Sequence, residues 1–465
     1  MIDADIAGLL ADLASLVSPN PQPSPILTRT RSRSSDSTDD FFDAYDDSPL
    51  DVGPATTPGL KDLDSDLDSE LDSDSQSVLI PPAVSSLSKI PQIQRRQNLP
   101  VEILIQPPSL LGLLRKNVGK DLSTVTMPVS ANEPLNLLQK LAEELEYSEI
   151  LDKAATLDPS LRLLYVAAFA TSSFSNMRAK ERSIRKPFNP LLGETFELIR
   201  EDKGFRFIAE KVSHRPPILA CHASSSKWVF TQSQMPTQKF YGKSYEVIPN
   251  ATVQILFLET GEKYIYEKPV SYLRNVTMGE KYVEPVGHMV VKNSKTSERA
   301  VVSFKAGGMF SGRSEDIDVQ AFSADGQRHS ISLSGKWTTE LTTNLGDVIW
   351  RCGQLVSSPE THCGFTIFAA QLNQITSLEK NHLAKTDSRL RPDQRMLEEG
   401  NYDGAEIKKE RVENLQRARR AEMDSCGEIW TAKWFDESDG AWKVKCLDGY
   451  WEMRERGFPE LPILW

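Results

Sequence analysis

The chain has 465 residues, with 54 Lys and Arg against 65 Asp and Glu, which gives a net charge of −11. The first hundred residues hold 17 acidic and 7 basic side chains, so the remainder is nearly neutral and does not resemble a nucleic-acid-binding protein. No basic-then-apolar leader and no run of about eighteen apolar residues is found, so neither a signal peptide nor a transmembrane helix is predicted.

The five cysteines are scattered and form no CxxC pair, which argues against both a disulfide framework and a zinc site and favours the reducing cytosol. The six histidines show no spacing typical of metal ligands, and no metal or cofactor is predicted. The cysteines are Cys221, Cys352, Cys363, Cys426 and Cys446.

Residues 1–95 are rich in Ser, Pro, Asp and Thr and include the acidic repeat "DLDSDLDSELDSDS" at 62–75. Such a composition cannot bury enough apolar surface to offset its conformational entropy, so the segment is predicted to be disordered. Two short stretches differ from it. "ADIAGLLADLASLV" at 4–17 fits a brief amphipathic helix, and "TDDFFDAYDD" at 38–47 places two phenylalanines in an acidic tract.

Three helical patterns follow. "PPSLLGLLRKNVGK" at 107–120 places leucines on one helical face, but Gly112 costs such a helix about 1 kcal/mol, which suits either a movable element or a plain packed helix. Residues 133–150 carry leucines at helical spacing, with Asn132 as the predicted cap. The third pattern covers 161–174.

Residues 194–345 alternate between apolar and polar positions in short runs that are separated by turn signals. "DIDVQAF" and "HSISLSG" flank a predicted hairpin turn at Asp325 and Gly326, and "ATVQILFLETGEKYIYEKP" predicts a second hairpin near Gly261. Many strands with few intervening helices favour an antiparallel barrel or sandwich. After Pro392 the chain becomes helical and highly charged.

Three stretches carry candidate binding residues. "KPFNPLLGETFE" at 186–197 presents Lys186 and Asn189 from a proline-stiffened loop, and "EKVSHRPP" at 210–217 ends a strand beside His214 and Arg215, two potential cations. The third, "AEIKKERVENLQRARR" at 405–420, places three charged residues along one helix face. Taken singly, the second stretch fits a solvated turn better than a binding site, and the third fits a salt-bridged surface helix better than a binding site. The three helix residues are Lys409, Glu413 and Arg417.

Together with "TDSRLRPDQR" at 386–395 and "GYWEMRE" at 449–455, these motifs occur in the order seen in oxysterol-binding-protein-related proteins, and the chain resembles that family over roughly residues 100–465. The resemblance implies a mainly β fold with helices, an incomplete antiparallel β-barrel around a lipid tunnel. Within a lipid-binding domain at 96–465, it implies a lid at about 100–125, helices at about 130–175, the barrel at about 186–380 and a helical C-terminal part from about 381. The lid leucines are Leu110, Leu111, Leu113 and Leu114.

The resemblance also implies binding of a phosphatidylinositol 4-phosphate headgroup at the tunnel mouth. Where the family signature has two consecutive histidines, this chain has His214 followed by Arg215, and an arginine can hold a phosphate with two parallel hydrogen bonds. The headgroup residues carried over are Lys186, Asn189, His214, Arg215, Lys409, Glu413 and Arg417.

The phenylalanine pair resembles the FFAT motif, which in this family recruits VAMP-associated proteins of the endoplasmic reticulum. The usual motif begins and ends with Glu, whereas both ends here are Asp. The implied location is the cytosol, with peripheral association with reticulum membrane and contact sites. The residues of the motif are Asp40, Phe41, Phe42, Asp43, Ala44 and Asp46.

Three classes of function compete at this point. The first is a lipid-transfer protein that exchanges phosphatidylinositol 4-phosphate for a second lipid at membrane contact sites. The sequence leaves open whether the second lipid is sterol or phosphatidylserine, or whether there is no second lipid. The second is a phosphoinositide sensor or tether that moves no lipid. The third is an enzyme with Ser213 or a cysteine as nucleophile and His214 as base. It is disfavoured, because Ser213 and His214 are adjacent and adjacent strand residues point to opposite faces.

Overall fold

Antiparallel strands make up most of the structure, which is a computed structural model. It describes residues 87, 90, 92–109, 112, 127–240, 245–276, 278–305, 307, 312–438, 440–445 and 449–465. All of them belong to one compact unit. The predicted lid leucines and the FFAT-like motif lie outside the described residues.

The described residues contain twenty strands. Their bounds are β1 Asn132–Asn136, β2 Lys186–Phe188, β3 Thr195–Arg200, β4 Phe205–Ser213, β5 Ile218–Ser225, β6 Trp228–Gln234, β7 Thr237–Phe240, β8 Tyr245–Ile248, β9 Ala251–Phe257, β10 Lys263–Glu267, β11 Ser271–Arg274, β12 Tyr282–Pro285, β13 Gly287–Asn293, β14 Arg299–Phe304, β15 Asp316–Phe322, β16 Arg328–Lys336, β17 Glu340–Thr343, β18 Val348–Arg351, β19 Phe435–Ser438 and β20 Ala441–Val444.

Helices flank this run of strands on both sides in sequence. Those found in the described part are α1 Leu137–Glu143, α2 Glu149–Ala154, α3 Pro159–Ser172, α4 Lys180–Ser183, α5 Ile367–Gln371, α6 Pro392–Glu398, α7 Tyr402–Cys426 and α8 Gly449–Glu455. Short 3-10 turns lie at Val129–Ala131, Ser173–Met177 and Ser388–Leu390.

Twelve of the described strands form one sheet, in the order β18-β17-β16-β15-β14-β13-β10-β9-β6-β5-β4-β3. Neighbouring strands in it pair antiparallel, from β3 with β4 at one edge to β17 with β18 at the other. The edge strands β3 and β18 do not pair with each other among the described residues, so the sheet stays open. The fold is therefore the incomplete antiparallel barrel that the family resemblance implies.

The strands form where the sequence alternates. Along β9 the buried positions are Ala251, Val253, Ile255 and Phe257, and the residues between them are only partly buried. Both predicted hairpins are present, joining β9 to β10 and β15 to β16. Their turn glycines have positive φ, +66° at Gly261 and +84° at Gly326, a conformation that glycine adopts at little cost.

Helix α3 is the apolar helix packed against this sheet. Ten of its fourteen residues are buried, and it contacts strands β13 to β16 and β18. Asp158 caps it by accepting hydrogen bonds from the backbone of Ser160 and Leu161. Burying a side chain such as Phe169, which is 1% exposed, stabilises the fold by about 1.5–3 kcal/mol. The pattern at 161–174 predicts this helix within a few residues.

The pattern at 133–150 predicts one continuous helix capped by Asn132, and that prediction is wrong. The chain instead forms strand β1, then α1 and α2. Asn136 is the true cap: it accepts from the backbone of Gln139, whose side chain in turn accepts from the backbone of Asn136. This capping box starts the helix four residues later than the leucine spacing suggests.

The C-terminal part packs on the sheet near β3 to β5. Trp434, Tyr450 and Phe458 contact one another, with ring centroids 4.9–6.0 Å apart. They share an apolar cluster with Ile199 and Val212 of the sheet. The phenol of Tyr450 also donates to the buried carboxylate of Glu197, at 2.8 Å. The "GYWEMRE" motif therefore fastens the C-terminal part to the sheet.

The stretch before residue 105 also packs against the body. Leu87 is 5% exposed within the same apolar cluster as Val212. Arg95 forms an ion pair with Glu201, and the Ile103 N–H donates to the carbonyl of Thr361, at 2.8 Å. Ordered packing thus reaches into the last residues of the segment predicted to be disordered.

Candidate functional site

The turn between β4 and β5 carries the "SHRPP" residues. Strand β4 ends at Ser213 and β5 begins at Ile218, as expected because Pro216 and Pro217 cannot donate to the ladder. The register of the pair shifts between Lys211 and Ser213, so the strand bends before the turn. The side chain of His214 is half-buried and that of Arg215 is exposed.

His214 is a neutral imidazole rather than the cation that the sequence suggests. Burial, together with the charges of Lys211, Arg420 and Arg215, lowers its pKa from 6.5 to about 3. Its Nε2 atom contacts the guanidinium of Arg420. An arginine can only donate, so Nε2 accepts this hydrogen bond and the imidazole proton resides on Nδ1.

Helix α7 presents the other charged residues. Asn401 caps it by accepting from the Gly404 N–H, and Gly427 ends it in the left-handed conformation, with φ +67°. Lys409 is 6% exposed and donates to Glu413 one turn later, at 2.5 Å. The structure thus contains the Lys409–Glu413 ion pair that a salt-bridged surface helix would have. Arg417 lies one turn further along the same helix face.

Glu194, within the "KPFNPLLGETFE" stretch, is a fully buried carboxylate that holds the loop in place. Nothing in the sequence singles it out. Glu194 accepts hydrogen bonds from the Leu191 N–H and the Ser388 hydroxyl, both at 2.8 Å, and from Arg391 at 3.2 Å. Asn136 donates a further bond to it. These contacts fix the loop that carries Asn189.

Arg391 joins this loop to the start of helix α6. Its guanidinium donates to the Asn189 carbonyl at 2.6 Å and to Asp393 at 2.8 Å. Burial lowers the pKa of Arg391, but the charges of Asp393, Glu194 and Glu413 outweigh that effect and raise the pKa above its usual value. The "TDSRLRPDQR" motif therefore supplies a buried, permanently charged anchor between the first motif and helix α6.

Trp430 brings the first and second motifs together, and no sequence signal pointed to it. Its indole N–H donates to the Val212 carbonyl at 3.1 Å, next to the β4–β5 turn. Its ring lies so close to Gly193 that a Cβ added there would sit 2.6 Å from the Cη2 atom. Gly193 also has a φ of +78°. The glycine of "NPLLGE" is thus needed for both its conformation and this contact.

The β4–β5 turn and the end of α7 enclose a cavity of about 610 Å³, here called the cationic cavity. It contains three of the seven predicted headgroup residues: His214, Arg215 and Arg417. Arg420 joins them, and its i, i+3 spacing from Arg417 is the signal that could have found it. The remaining lining residues are Leu192, Val212, Ser213, Ala421, Met423, Asp424, Glu428, Ile429, Trp430 and Trp442.

The other four predicted residues lie outside this lining. Lys186 is the first residue of β2, and Asn189 follows that strand in the first loop. On α7, Lys409 lies about two turns and Glu413 about one turn before Arg417. The loop reaches the helix through the Leu192 N–H, which donates to Gln416 at 3.2 Å. The structure therefore brings the three motifs side by side. The arginines Arg215, Arg417 and Arg420 are concentrated in the cationic cavity.

In the described part of the chain, no helix combines the length and apolar character needed to cross a bilayer. Across the same residues, no group of three or more His, Cys, Asp or Glu side chains is placed to hold a metal ion.

The sequence model described as oxysterol-binding protein matches residues 109–455. The chain belongs to the oxysterol-binding protein family. An oxysterol-binding protein homolog from Schizosaccharomyces pombe is 49% identical over 401 residues, covering 82% of this chain and 42% of that protein. Oxysterol-binding protein-related protein 3 of Mus musculus is 42% identical over 366 residues, covering 77% and 42%. The chain spans about two fifths of the length of these curated relatives.

Solved structures of the oxysterol-binding protein family share the fold. The Osh3 ORD of Saccharomyces cerevisiae, crystallised in complex with PI(4)P, is 44% identical with a TM-score of 0.76 and covers 81% of this chain and 100% of that one. The Osh1 ORD domain in complex with cholesterol is 32% identical with a TM-score of 0.72, covering 80% and 94%. At these identities and TM-scores the likeness shows a common fold.

Proposed function

We propose that this chain binds phosphatidylinositol 4-phosphate at the rim of its barrel and exchanges it for sterol or another lipid between membranes at contact sites. The observation that carries the proposal is the state of His214. Its Nδ1 atom is buried and has no hydrogen-bond partner among the described residues. Since Nε2 accepts from Arg420, Nδ1 carries the proton and is a donor without an acceptor.

A buried donor without a partner costs about 1–3 kcal/mol, so a ligand that supplies an acceptor there is favoured. A phosphate monoester has several strong acceptor oxygens and about two negative charges. Arg215, Arg417 and Arg420 line the same cavity and can hold those oxygens through charge-assisted hydrogen bonds. The cavity therefore fits a phosphate group in both charge and hydrogen bonding.

The remaining motif residues fit contacts to the rest of the headgroup. Lys186 and Asn189 lie on the loop that Glu194 and Arg391 hold in place, and each has donors suited to inositol hydroxyls or a phosphodiester. The Lys409–Glu413 pair provides a donor and an acceptor on the neighbouring helix face. In this proposal Glu413 accepts from an inositol hydroxyl and also keeps Lys409 oriented.

The relatives support the choice of ligand. The Osh3 ORD, 44% identical to this chain, was crystallised with PI(4)P, and the Osh1 ORD domain was crystallised with cholesterol and with ergosterol. Arg215 stands where the family signature has its second histidine. Because arginine stays charged at physiological pH, we infer that the substitution preserves phosphate binding.

Exchange between membranes follows from the energetics of a lipid tail. Burying several hundred Å² of tail gains on the order of 10 kcal/mol relative to water. A lipid that leaves a bilayer gains almost none of this, because its tail was already in hydrocarbon. Polar contacts at the headgroup must then decide which lipid is extracted, and the tunnel has only to accept its shape.

The proposed cellular setting is the cytosol beside the endoplasmic reticulum, where the FFAT-like residues Asp40 to Asp46 would bind a VAMP-associated protein. A sensor or tether that binds the headgroup but moves no lipid is the alternative function. The two differ in one property, because only a transfer protein carries lipid through water between separated vesicles.

Headgroup binding is tested by extraction of phosphatidylinositol 4-phosphate from liposomes. We expect the double variant Arg215→Ala with Arg417→Ala to lose extraction, and Arg328→Ala, at an exposed position on β16, to extract as the wild type does. Normal extraction by the double variant, with an unchanged thermal midpoint, would remove the cationic cavity from the site.

A further inference from the structure

The cationic cavity is electropositive although it contains two acids. Its lining includes Arg215, Arg417 and Arg420 against Asp424 and Glu428. Lys211, directly before the β4–β5 turn, adds a fourth positive charge close to His214. Burial and three of these cations depress the pKa of His214, so positive charge acts on the imidazole at this point.

Leu87 belongs to an apolar cluster that also borders this cavity. Leu87, the first described residue, is 5% exposed in the apolar cluster that contains Val212, and Trp442 packs against the same cluster. Val212 and Trp442 also line the cationic cavity. The chain that precedes Leu87 therefore leaves the body at an apolar cluster that also borders the cavity.

Only eleven residues separate Leu87 from the acidic repeat. Residues 62–75 contain seven carboxylates and no Lys or Arg. For eleven residues, random-coil dimensions correspond to roughly 20 Å and full extension to roughly 40 Å. A segment held on such a short tether has an effective concentration on the order of millimolar near its attachment point.

We propose that residues 62–75 bind the cationic cavity of their own chain and compete there with phosphate groups. The fit rests on charge complementarity, on the short tether and on the place where the tether joins the body. Competition with a headgroup depends on the function proposed above, whereas contact between the segment and the cavity does not. The two statements therefore need separate measurements.

Contact is measured by cross-linking in the full chain. Cys426, the last residue of α7, is exposed and lies two residues beyond Asp424 of the cavity lining. In a Ser69→Cys variant, a short bismaleimide should join position 69 to Cys426 within one chain, as identified by peptide mass spectrometry. The matched control is the same Ser69→Cys chain with Asn or Gln in place of the seven acidic residues of 62–75. The tether length is therefore unchanged.

We expect the cross-link yield to fall several-fold in the neutralised control, and to fall likewise for the Ser69→Cys chain at about 0.5 M salt, where charges are strongly screened. Equal yields with and without the acids would show chance encounters of a tethered chain and overturn the proposal. Loss of vesicle binding in Arg215→Ala, with an unchanged cross-link yield, would assign the cavity to a membrane surface instead and also overturn it.

Competition is measured by the initial rate of phosphatidylinositol 4-phosphate extraction. The variant for this test is the full chain with the seven acids neutralised and with Ser69 unchanged. It should extract the lipid about three-fold faster than the wild type at low ionic strength, and the difference should shrink as the salt concentration rises. An unchanged or slower rate would contradict competition. If neither chain extracts the lipid, the proposed function fails, and the cross-link still reports independently whether the segment contacts the cavity.

Discussion

The Nε2 atom of His214 accepts a hydrogen bond from the guanidinium of Arg420, and this contact joins the β4–β5 turn to the far end of helix α7. It fixes which imidazole nitrogen carries the proton, and it orients an arginine that also lines the cavity. The histidine of "SHRPP" thus has two roles: it positions Arg420, and it presents the Nδ1–H group to a ligand.

The first prediction concerns pH. The folded imidazole has a pKa of about 3, lowered from 6.5, so between these values the unfolded chain binds a proton that the folded chain does not. The free energy of unfolding therefore falls as pH falls from 6.5 toward 3. With a discount for partial exposure, this amounts to about 1 kcal/mol between pH 6.5 and 4.5.

His214→Asn keeps an acceptor for Arg420 but cannot titrate. Urea unfolding at pH 6.5 and 4.5 should show that the variant loses about 1 kcal/mol less stability than the wild type over this interval. The buried carboxylates contribute equally to both proteins, so they cancel in the comparison. Identical losses would mean that His214 is protonated in the folded protein.

The second prediction concerns Glu194. Glu194→Gln keeps the shape of the side chain but places an amide nitrogen against donors from Leu191, Asn136 or Arg391. Breaking a buried charged pair on one side typically costs 3–5 kcal/mol, and because Asp393 still pairs with Arg391 we expect a loss of about 3 kcal/mol. Chemical denaturation measures the loss.

The matched control for Glu194→Gln is Glu340→Gln, which breaks an exposed pair with Arg351 that is 2.8 Å long. Exposed pairs contribute little, so this change should cost less than about 0.5 kcal/mol. Similar losses for the two variants would show that the loop is not anchored through Glu194.

The third prediction concerns Gly193 and Trp430. Gly193→Ala adds a Cβ at a φ of +78° and within 2.6 Å of the Trp430 ring. Gly204→Ala is the matched control, since its φ is +68° and nothing lies within 4 Å. The control should lose about 1 kcal/mol from backbone conformation alone, and Gly193→Ala about 2 kcal/mol more from the contact. Equal losses would mean that Trp430 moves aside freely.

Local signals in the sequence were enough for the β-rich region at 194–345, its two predicted hairpins and the long C-terminal helix. Gly261 and Gly326 indicate the turns in the sequence, because glycine adopts positive φ more readily than other residues do. The leucine spacing at 133–150 misled because Asn136 and Gln139 cap each other, a reciprocal bond that periodicity does not reveal.

The site was predicted only in part, and the reason is physical. The family resemblance identifies the motif residues as candidates for binding. The contact between Gly193 and Trp430, however, joins residues far apart in the chain and leaves no local pattern in the sequence. The charge state of His214 likewise depends on Arg420 and on burial, and neither is visible in "SHRPP". Glu194 and Arg391 resemble ordinary surface charges until the fold buries them together.

The fourth prediction concerns location. The FFAT-like pair Phe41 and Phe42 should anchor the protein on the endoplasmic reticulum, since buried aromatic anchors each contribute a few kcal/mol to binding when measured by truncation. Phe41→Ala with Phe42→Ala should release the protein into the bulk cytosol and abolish co-precipitation with the VAMP-associated protein. Liposome extraction by the purified variant should be unaffected. Equal reticulum association of variant and wild type would refute the motif.

Lipid exchange itself is tested most directly with two vesicle populations, one carrying a fluorescent sterol and the other phosphatidylinositol 4-phosphate. We predict that the phosphoinositide in the second population accelerates sterol transfer to it, and that Arg215→Ala with Arg417→Ala abolishes the acceleration. The phosphoinositide should appear in the first population at the same time. Binding to phosphoinositide vesicles with no movement of either lipid would contradict exchange and leave a sensor or tether as the function.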